Sequence, residues 1–331
     1  MGRGPVAPTM HGGRLVEART AFPHAPSPWI DLSTGISPWA WSGPRASRSD
    51  LQRIPDPADL RRLEQTAAAA FGVDADRVVA TSGVEAGIGL LAATLGLSVV
   101  DIVSPTYGGH AQAWAAAGAS ARAIGSVNLA SRVAGLVVVN PNNPDGRVLL
   151  RAEVLDVARD RRGWTIVDEA FVETQPQLSV ADAALERLVV LRSFGKFYGL
   201  PGVRLGFVIA PPDLVPDLRA RLGAWPVGAD AIALGLGAYA DSGWAQRQRR
   251  RLDKAAARLE HLLIAAGFRL VGGTSLFKLT ARDDAADRYR RLAELGVLAR
   301  PFAEQPTWLR FGLPAPADWD RLEDALARSR A

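Results

Sequence analysis

The chain has 331 residues, 48% of them apolar, a formal net charge of +5 and no cysteine. That length exceeds one ordinary core and predicts a large domain with a smaller companion. The lack of cysteine excludes disulfides, thiolate metal sites and cysteine nucleophiles, and it favours a cytoplasmic location.

Residues 1–57 are rich in Pro, Ser, Gly and Trp, show little periodicity, and predict an extended N-terminal arm. Met1 to Met10 lack the apolar core of a signal peptide, and Met10, directly before His11, offers an alternative start. A large domain over 58–225 opens with a helix at Pro57 to Phe71, with Leu60, Leu63 and Ala67 on one face. Gly87 to Val100 is apolar but interrupted by Thr94 and Ser98 and too short to span a bilayer, so it reads as a buried helix. Strands are predicted at Arg77 to Ala80, Val99 to Val103, Leu136 to Asn140, Trp164 to Asp168, Leu188 to Arg192 and Leu205 to Ala210. Their alternation with helical stretches predicts an α/β fold with a mainly parallel sheet.

A small α+β domain over 226–331 begins with helical periodicity from Asp230 to Ala266. Gly272-Gly273 then opens short strands at Leu276 to Thr280, Val297 to Arg300 and Trp308 to Gly312. The basic run Arg247, Arg249, Arg250 and Arg251 lies in a helical stretch that continues through Asp253 and Glu260, which reads as a solvated face and not a nucleic-acid surface. Four scattered histidines give no metal spacing.

Lysine is scarce: Lys196, Lys254 and Lys278 are the only three among 39 basic residues. Lys196 lies in Ser193-Phe194-Gly195-Lys196-Phe197-Tyr198-Gly199, among glycines and aromatics. A primary amine can condense with a carbonyl and a guanidinium cannot, so a retained lysine points to Schiff-base chemistry. Other reactive residues also follow predicted strands, where open α/β sheets bind ligands. Thr81-Ser82-Gly83-Val84 precedes a helix and forms an anion site. Tyr107 follows the second strand, Asn143 the third, Asp168 ends the fourth, Ser193 and Lys196 follow the fifth, and Arg204 opens the sixth. Gly87 to Ala92 only loosely resembles a dinucleotide fingerprint and starts inside a helix, and Gly195-Lys196 lacks the rest of a nucleotide P-loop. A phosphate anchor, an aromatic plate, a carboxylate and an amine are the parts that hold pyridoxal phosphate.

On Asn143-Pro144-Asp145-Gly146, Asp168-Glu169-Ala170-Phe171 and Ser193-x-x-Lys196 with Arg204 eight residues on, the chain resembles the fold-type I pyridoxal-phosphate enzymes. The resemblance is to the branch of histidinol-phosphate aminotransferases and threonine-phosphate decarboxylases, and it runs from about His11 to Gly312. It implies a Schiff base on Lys196, Asp168 on the pyridine nitrogen, Asn143 on the ring hydroxyl and Tyr107 stacked on the ring. It also implies that Ser193, Arg204 and the Ser82-Gly83-Val84 backbone hold the cofactor phosphate, that Arg300 and Arg310 bind substrate anions, and that the enzyme is a homodimer. His11-Gly12-Gly13 with Trp29 to Gly35 is similar to the decarboxylases that supply the aminopropanol phosphate of cobalamin, and adds His11 as a substrate contact. Phe171 stands where many aminotransferases have Tyr, Ile54 where relatives often have a Tyr that reaches the partner's phosphate, and Ser37 where Asn is commoner. Decarboxylation of O-phosphothreonine and transamination of histidinol phosphate both remain open; an idle regulator of this fold usually carries a separate DNA-binding domain, which does not fit before His11, and the intact Lys196 and Asp168 also argue against that reading.

Overall fold

The computed structural model describes residues 12–330, so His11 lies outside the described residues. The chain forms two compact units. The large one comprises Ala40–Asn143 and Arg147–Arg247; the other takes the residues up to Trp39, the short insert Pro144–Gly146 and the chain from Gln248 onward. The division thus falls at 39/40 and inside the helix Ser242–Ala265, whereas composition had placed it at 57/58 and 225/226. Among the described residues, no helix is long and apolar enough to cross a membrane.

The large unit is built on seven strands: β1 (Val78–Thr81), β2 (Val99–Val103), β3 (Ser120–Ile124), β4 (Gly135–Val139), β5 (Thr165–Asp168), β6 (Leu188–Ser193) and β7 (Gly206–Ile209). Their spatial order is β1-β7-β6-β5-β4-β2-β3, parallel throughout except for β7, which runs antiparallel to both neighbours. The carboxyl ends of β1, β2, β4, β5 and β6 therefore share one edge, and β7 begins there. Runs such as Gly135–Val139 are buried along their whole length, as expected where helices cover both faces. Helical Ile88, Leu91 and Trp114 meet Val137, Ile166, Leu191 and Val208 of the sheet. Each such side chain stabilises the fold by about 1.5–3 kcal/mol.

Local signals set the helix ends. Asp56 caps Pro57–Phe71 by accepting from the Ala58 N–H at 2.7 Å, Pro57 occupies the first turn, and Gly72 closes the helix at φ 70°. The single helix predicted from Asp230 to Ala266 is two, Ala229–Ala240 and Ser242–Ala265, because the Asp241 carboxylate accepts from the Trp244 N–H at 2.8 Å and starts a new turn.

The second unit carries an antiparallel sheet in the order Arg300–Pro301, Trp308–Gly312, Phe277–Ala281, Arg269–Thr274. The glycine pair expected to open the strands lies inside one of them. The arm is not simply extended. Leu15–Ala21 is helical, and Ile30–Asp31 pairs in parallel with Val297–Leu298, through Ile30 N–H to Gly296 O at 2.9 Å and Leu32 N–H to Leu298 O at 2.8 Å. Trp29, Ile30 and Leu32 are buried in this unit of the same chain. Partners more than 260 residues away, and not local periodicity, give this stretch its order.

Candidate active site

Asp168 ends β5 and is buried. Its Oδ1 accepts from the Ala170 N–H at 2.9 Å, and its Oδ2 lies 2.9 Å from Nε2 of His110, which is also buried. Among the described residues Nδ1 of His110 has no hydrogen-bond partner, so the Nε2–H tautomer, donating to Asp168, fits the site. His110 was not singled out in the sequence. The signal available is its place three residues after Tyr107, on the same side of the helix Gly108–Ala116, where the two rings meet edge to face at 6.3 Å. Glu85 was missed as well; its Oε2 accepts from the Tyr107 hydroxyl at 2.8 Å, and Gly109 is close enough that a Cβ there would lie 2.4 Å from the Tyr107 ring.

Lys196 stands on the short helix Phe194–Phe197 that follows β6, with its Nζ 5.8 Å from the centre of the buried Phe171 ring. Aromatic packing holds this turn: Tyr198 stacks on Phe194 at 4.8 Å and on Trp244 at 5.5 Å. Gly195 lies against Pro201, leaving no space for a side chain. Behind the turn, Arg192 of β6 is buried between Glu169, at 3.2 Å, and Glu173. Burial pushes the Glu169 carboxyl up, and Arg192 together with donors from Ser179 and Val180 opposes this. Burial disfavours the Arg192 charge, yet the two carboxylates hold its guanidinium above its ordinary value.

The expected anion site lies where β1 meets the helix Val84–Leu95. Gly83 is the N-cap at φ 89° and no side chain caps the helix, so its first-turn N–H groups face outward. The Gly83 N–H turns back to Thr81 O at 2.7 Å, and the Ser82 hydroxyl donates to Pro226 O. Arg204 is the one non-glycine described residue at positive φ, 53°, a conformation that costs about 1–2 kcal/mol. It presents its guanidinium to Gly83, where a Cβ would lie 2.6 Å from Nη2. Gly206 of β7 likewise fits closely against the Gly83-Val84 backbone.

This edge of the large unit therefore carries Lys196, Asp168, Asn143, Tyr107, Ser193, Arg204, Ser82, Gly83 and Val84. The residues fit pyridoxal phosphate: the cradle at Gly83 admits an anion only because it has no Cβ, a guanidinium faces it, and a carboxylate, an aromatic plate and an amine lie along the same edge. In the other unit, Arg300 and Arg310 face each other in cross-strand register. Arg310 is buried, donates to Ser33 O at 2.8 Å, and is pushed down to about 9, first by burial and then by the Arg300 charge. Ser37, one of the departures, has a structural role: it donates to Trp39 O at 3.0 Å and accepts from Gln248. Ile54 is exposed.

Residues 34–328 match the family model for aminotransferase class I and II. A threonine-phosphate decarboxylase of Pseudomonas aeruginosa is 41% identical over 96% of this chain and 96% of its own. A second, from a Sinorhizobium species, is 38% identical over 97% and 98%. The histidinol-phosphate aminotransferase of Clostridium acetobutylicum superposes with a TM-score of 0.81 over 90% of this chain and 98% of its own, at 19% identity, a likeness of fold.

Proposed function

The chain belongs to the class I and II aminotransferase family, with pyridoxal phosphate as its cofactor, and from that premise we propose that it decarboxylates L-threonine O-3-phosphate to (R)-1-aminopropan-2-yl phosphate for cobalamin biosynthesis. The reading is carried by one observation: two threonine-phosphate decarboxylases match nearly its whole length at 41% and 38% identity. The cross-strand pair Arg300 and Arg310 supports it, because the substrate has a phosphate and a carboxylate to match two guanidiniums.

When bound, the cofactor supplies an electron sink for the pair released as a bond at the substrate α-carbon breaks. Lys196 would anchor it, and the Asp168 carboxylate, held by His110 and the Ala170 N–H, would keep a proton on the ring nitrogen. Tyr107 and Asn143 fix the ring, and Arg204 with the Val84 end of the helix binds the phosphate. Arg300 and Arg310 take the substrate anions, with His11 as a further contact. With the Lys196 amine displaced from the cofactor by the substrate's own amino group, Lys196 would be the group that hands a proton to the α-carbon where the carboxylate has left as CO2.

The protein is further proposed to work as a cytoplasmic homodimer. Support for the dimer is the exposure of Ile54 and Trp225 on the large unit, both lining a cleft of about 680 Å³ that also carries Asp50, Arg53, Asp59 and Arg62.

The purified holoenzyme incubated with O-phosphothreonine and no keto acid is expected to release CO2, with threonine turned over far more slowly. Turnover of histidinol phosphate that depends strictly on 2-oxoglutarate, with no CO2 from O-phosphothreonine, would replace the decarboxylase by an aminotransferase.

A further inference from the structure

The turn that carries Asn143 is fixed on both sides. On one side Asn142 is buried, accepting from the Thr106 hydroxyl at 2.6 Å and donating from Nδ2 to Pro105 O at 2.9 Å, while its N–H reaches Arg147 O at 2.8 Å. Pro105 and Thr106 lead directly into Tyr107. On the other side, Pro144–Gly146 groups with the C-terminal unit although Asn143 and Arg147, its sequence neighbours, do not.

Glycines make the second contact. Gly146 sits at φ 71°, and a Cβ on it would lie 2.2 Å from Gly273 O and 2.5 Å from Gly273 Cα. From the opposite side, a Cβ on Gly272 would lie 2.1 Å from Asp145 O. The two backbones touch with no room for a methyl group on either. A glycine pair inside a strand weakens it and marks a site where another backbone comes close, and here that backbone is the turn after Asn143.

We infer that Gly146 and Gly272 are positioning residues: through their backbone contact they set where Asn143 meets the cofactor ring hydroxyl. The inference rests on the proposed role of Asn143. A donor from Asn143 favours the ionised ring oxygen, so withdrawing it raises the pH midpoint of the bound cofactor's visible absorption. A shift of about one unit corresponds to a tenfold change in proton affinity.

The test is that midpoint in the holoenzyme without substrate, read alongside cofactor content. Asn143→Ala is expected to raise it by about one unit, and Gly146→Ala and Gly272→Ala by roughly half as much or more, with cofactor retained. Gly72→Ala is the control, since Gly72 has the same kind of backbone, φ 70°, with nothing within 4 Å, and is expected to leave the midpoint in place. If Gly146→Ala does not fold, Gly272→Ala decides, because its backbone lies outside the left-handed region. A midpoint that moves in Asn143→Ala but in neither glycine variant overturns the positioning role while leaving the Asn143 contact standing. A midpoint unmoved in Asn143→Ala removes that contact, and the inference with it.

Discussion

Replacing His110 with phenylalanine removes one of the two hydrogen bonds that hold the Asp168 carboxylate. The bond is 2.9 Å long and both side chains are buried, so water cannot take the place of the lost donor. A hydrogen bond to a charged group contributes about 1.5–3 kcal/mol. Expressed in full at the highest barrier, that lowers the rate roughly ten- to a hundredfold, at about 1.4 kcal/mol per decade. Phenylalanine keeps the ring shape and so keeps the edge-to-face contact with Tyr107. His110→Gln places an amide donor near the position of Nε2 and is expected to recover most of the activity. The assay is the rate of CO2 release from O-phosphothreonine at saturating cofactor, with cofactor content and melting temperature measured on the same samples. A His110→Phe enzyme within twofold of the wild type would refute the reasoning. A His110→Gln enzyme as impaired as His110→Phe would show that ring packing, and not the donor, is what matters.

Borohydride treatment of the yellow holoenzyme is expected to fix the cofactor on Lys196, and peptide mapping excludes the assignment if the label is found on Lys254 or Lys278; the Lys278 amine is already paired with Glu260 at 2.7 Å. Gly83→Ala forces a Cβ to within 2.6 Å of the Arg204 guanidinium at φ 89°; strain of about 1–2 kcal/mol predicts a roughly five- to thirtyfold loss of cofactor affinity, measured by titrating the apoprotein. Arg192→Leu leaves Glu169 and Glu173 buried together and is expected to cost about 3–5 kcal/mol in denaturant unfolding at neutral pH. Without the Arg192 charge, burial holds the Glu169 carboxyl still further above its unfolded value, so the deficit grows as pH rises above about 4.5 and shrinks below it; a deficit that does not change with pH would contradict this. Arg310→Met should leave the ligand-free protein as stable as the wild type or more so, while abolishing substrate binding. The guanidinium's folded value of about 9 lies below its free value, so its charge weakens the ligand-free fold in full below pH about 9 and progressively less as pH rises beyond it. A large drop in the melting temperature of ligand-free Arg310→Met would refute that sign.

The parts of the molecule legible in the sequence are those whose causes are local. Pro57–Phe71 was readable to the residue because Asp56, Pro57 and Gly72 mark its ends. The buried strands were found to within a residue because both faces are covered and the apolar run is continuous. Edge strand β3 was not found: Ser120–Ile124 is mostly uncovered, has little β-branched content, and owes its form to parallel pairing with β2. The candidate site was legible for a different reason, since the cofactor's chemistry prescribes residue types at strand ends whatever surrounds them.

What stayed hidden are the residues that act on those residues. His110 reaches Asp168 across 58 positions, Glu85 reaches Tyr107 across 22, and Arg192 meets Glu169 and Glu173 from the neighbouring strand. None of these pairs has a spacing that a helix or a strand would reveal. Each exists because β2 and β5, β1 and β2, or β5 and β6 end at the same edge of the sheet, so it follows from sheet topology and not from any segment read alone. The glycines show the same limit. Gly272-Gly273 is expected by composition to open the strands, but it lies inside one: Gly272 meets the Asp145 carbonyl, and Gly273, at φ 153°, lies against both the Gly146 turn and Phe277 O of the paired strand.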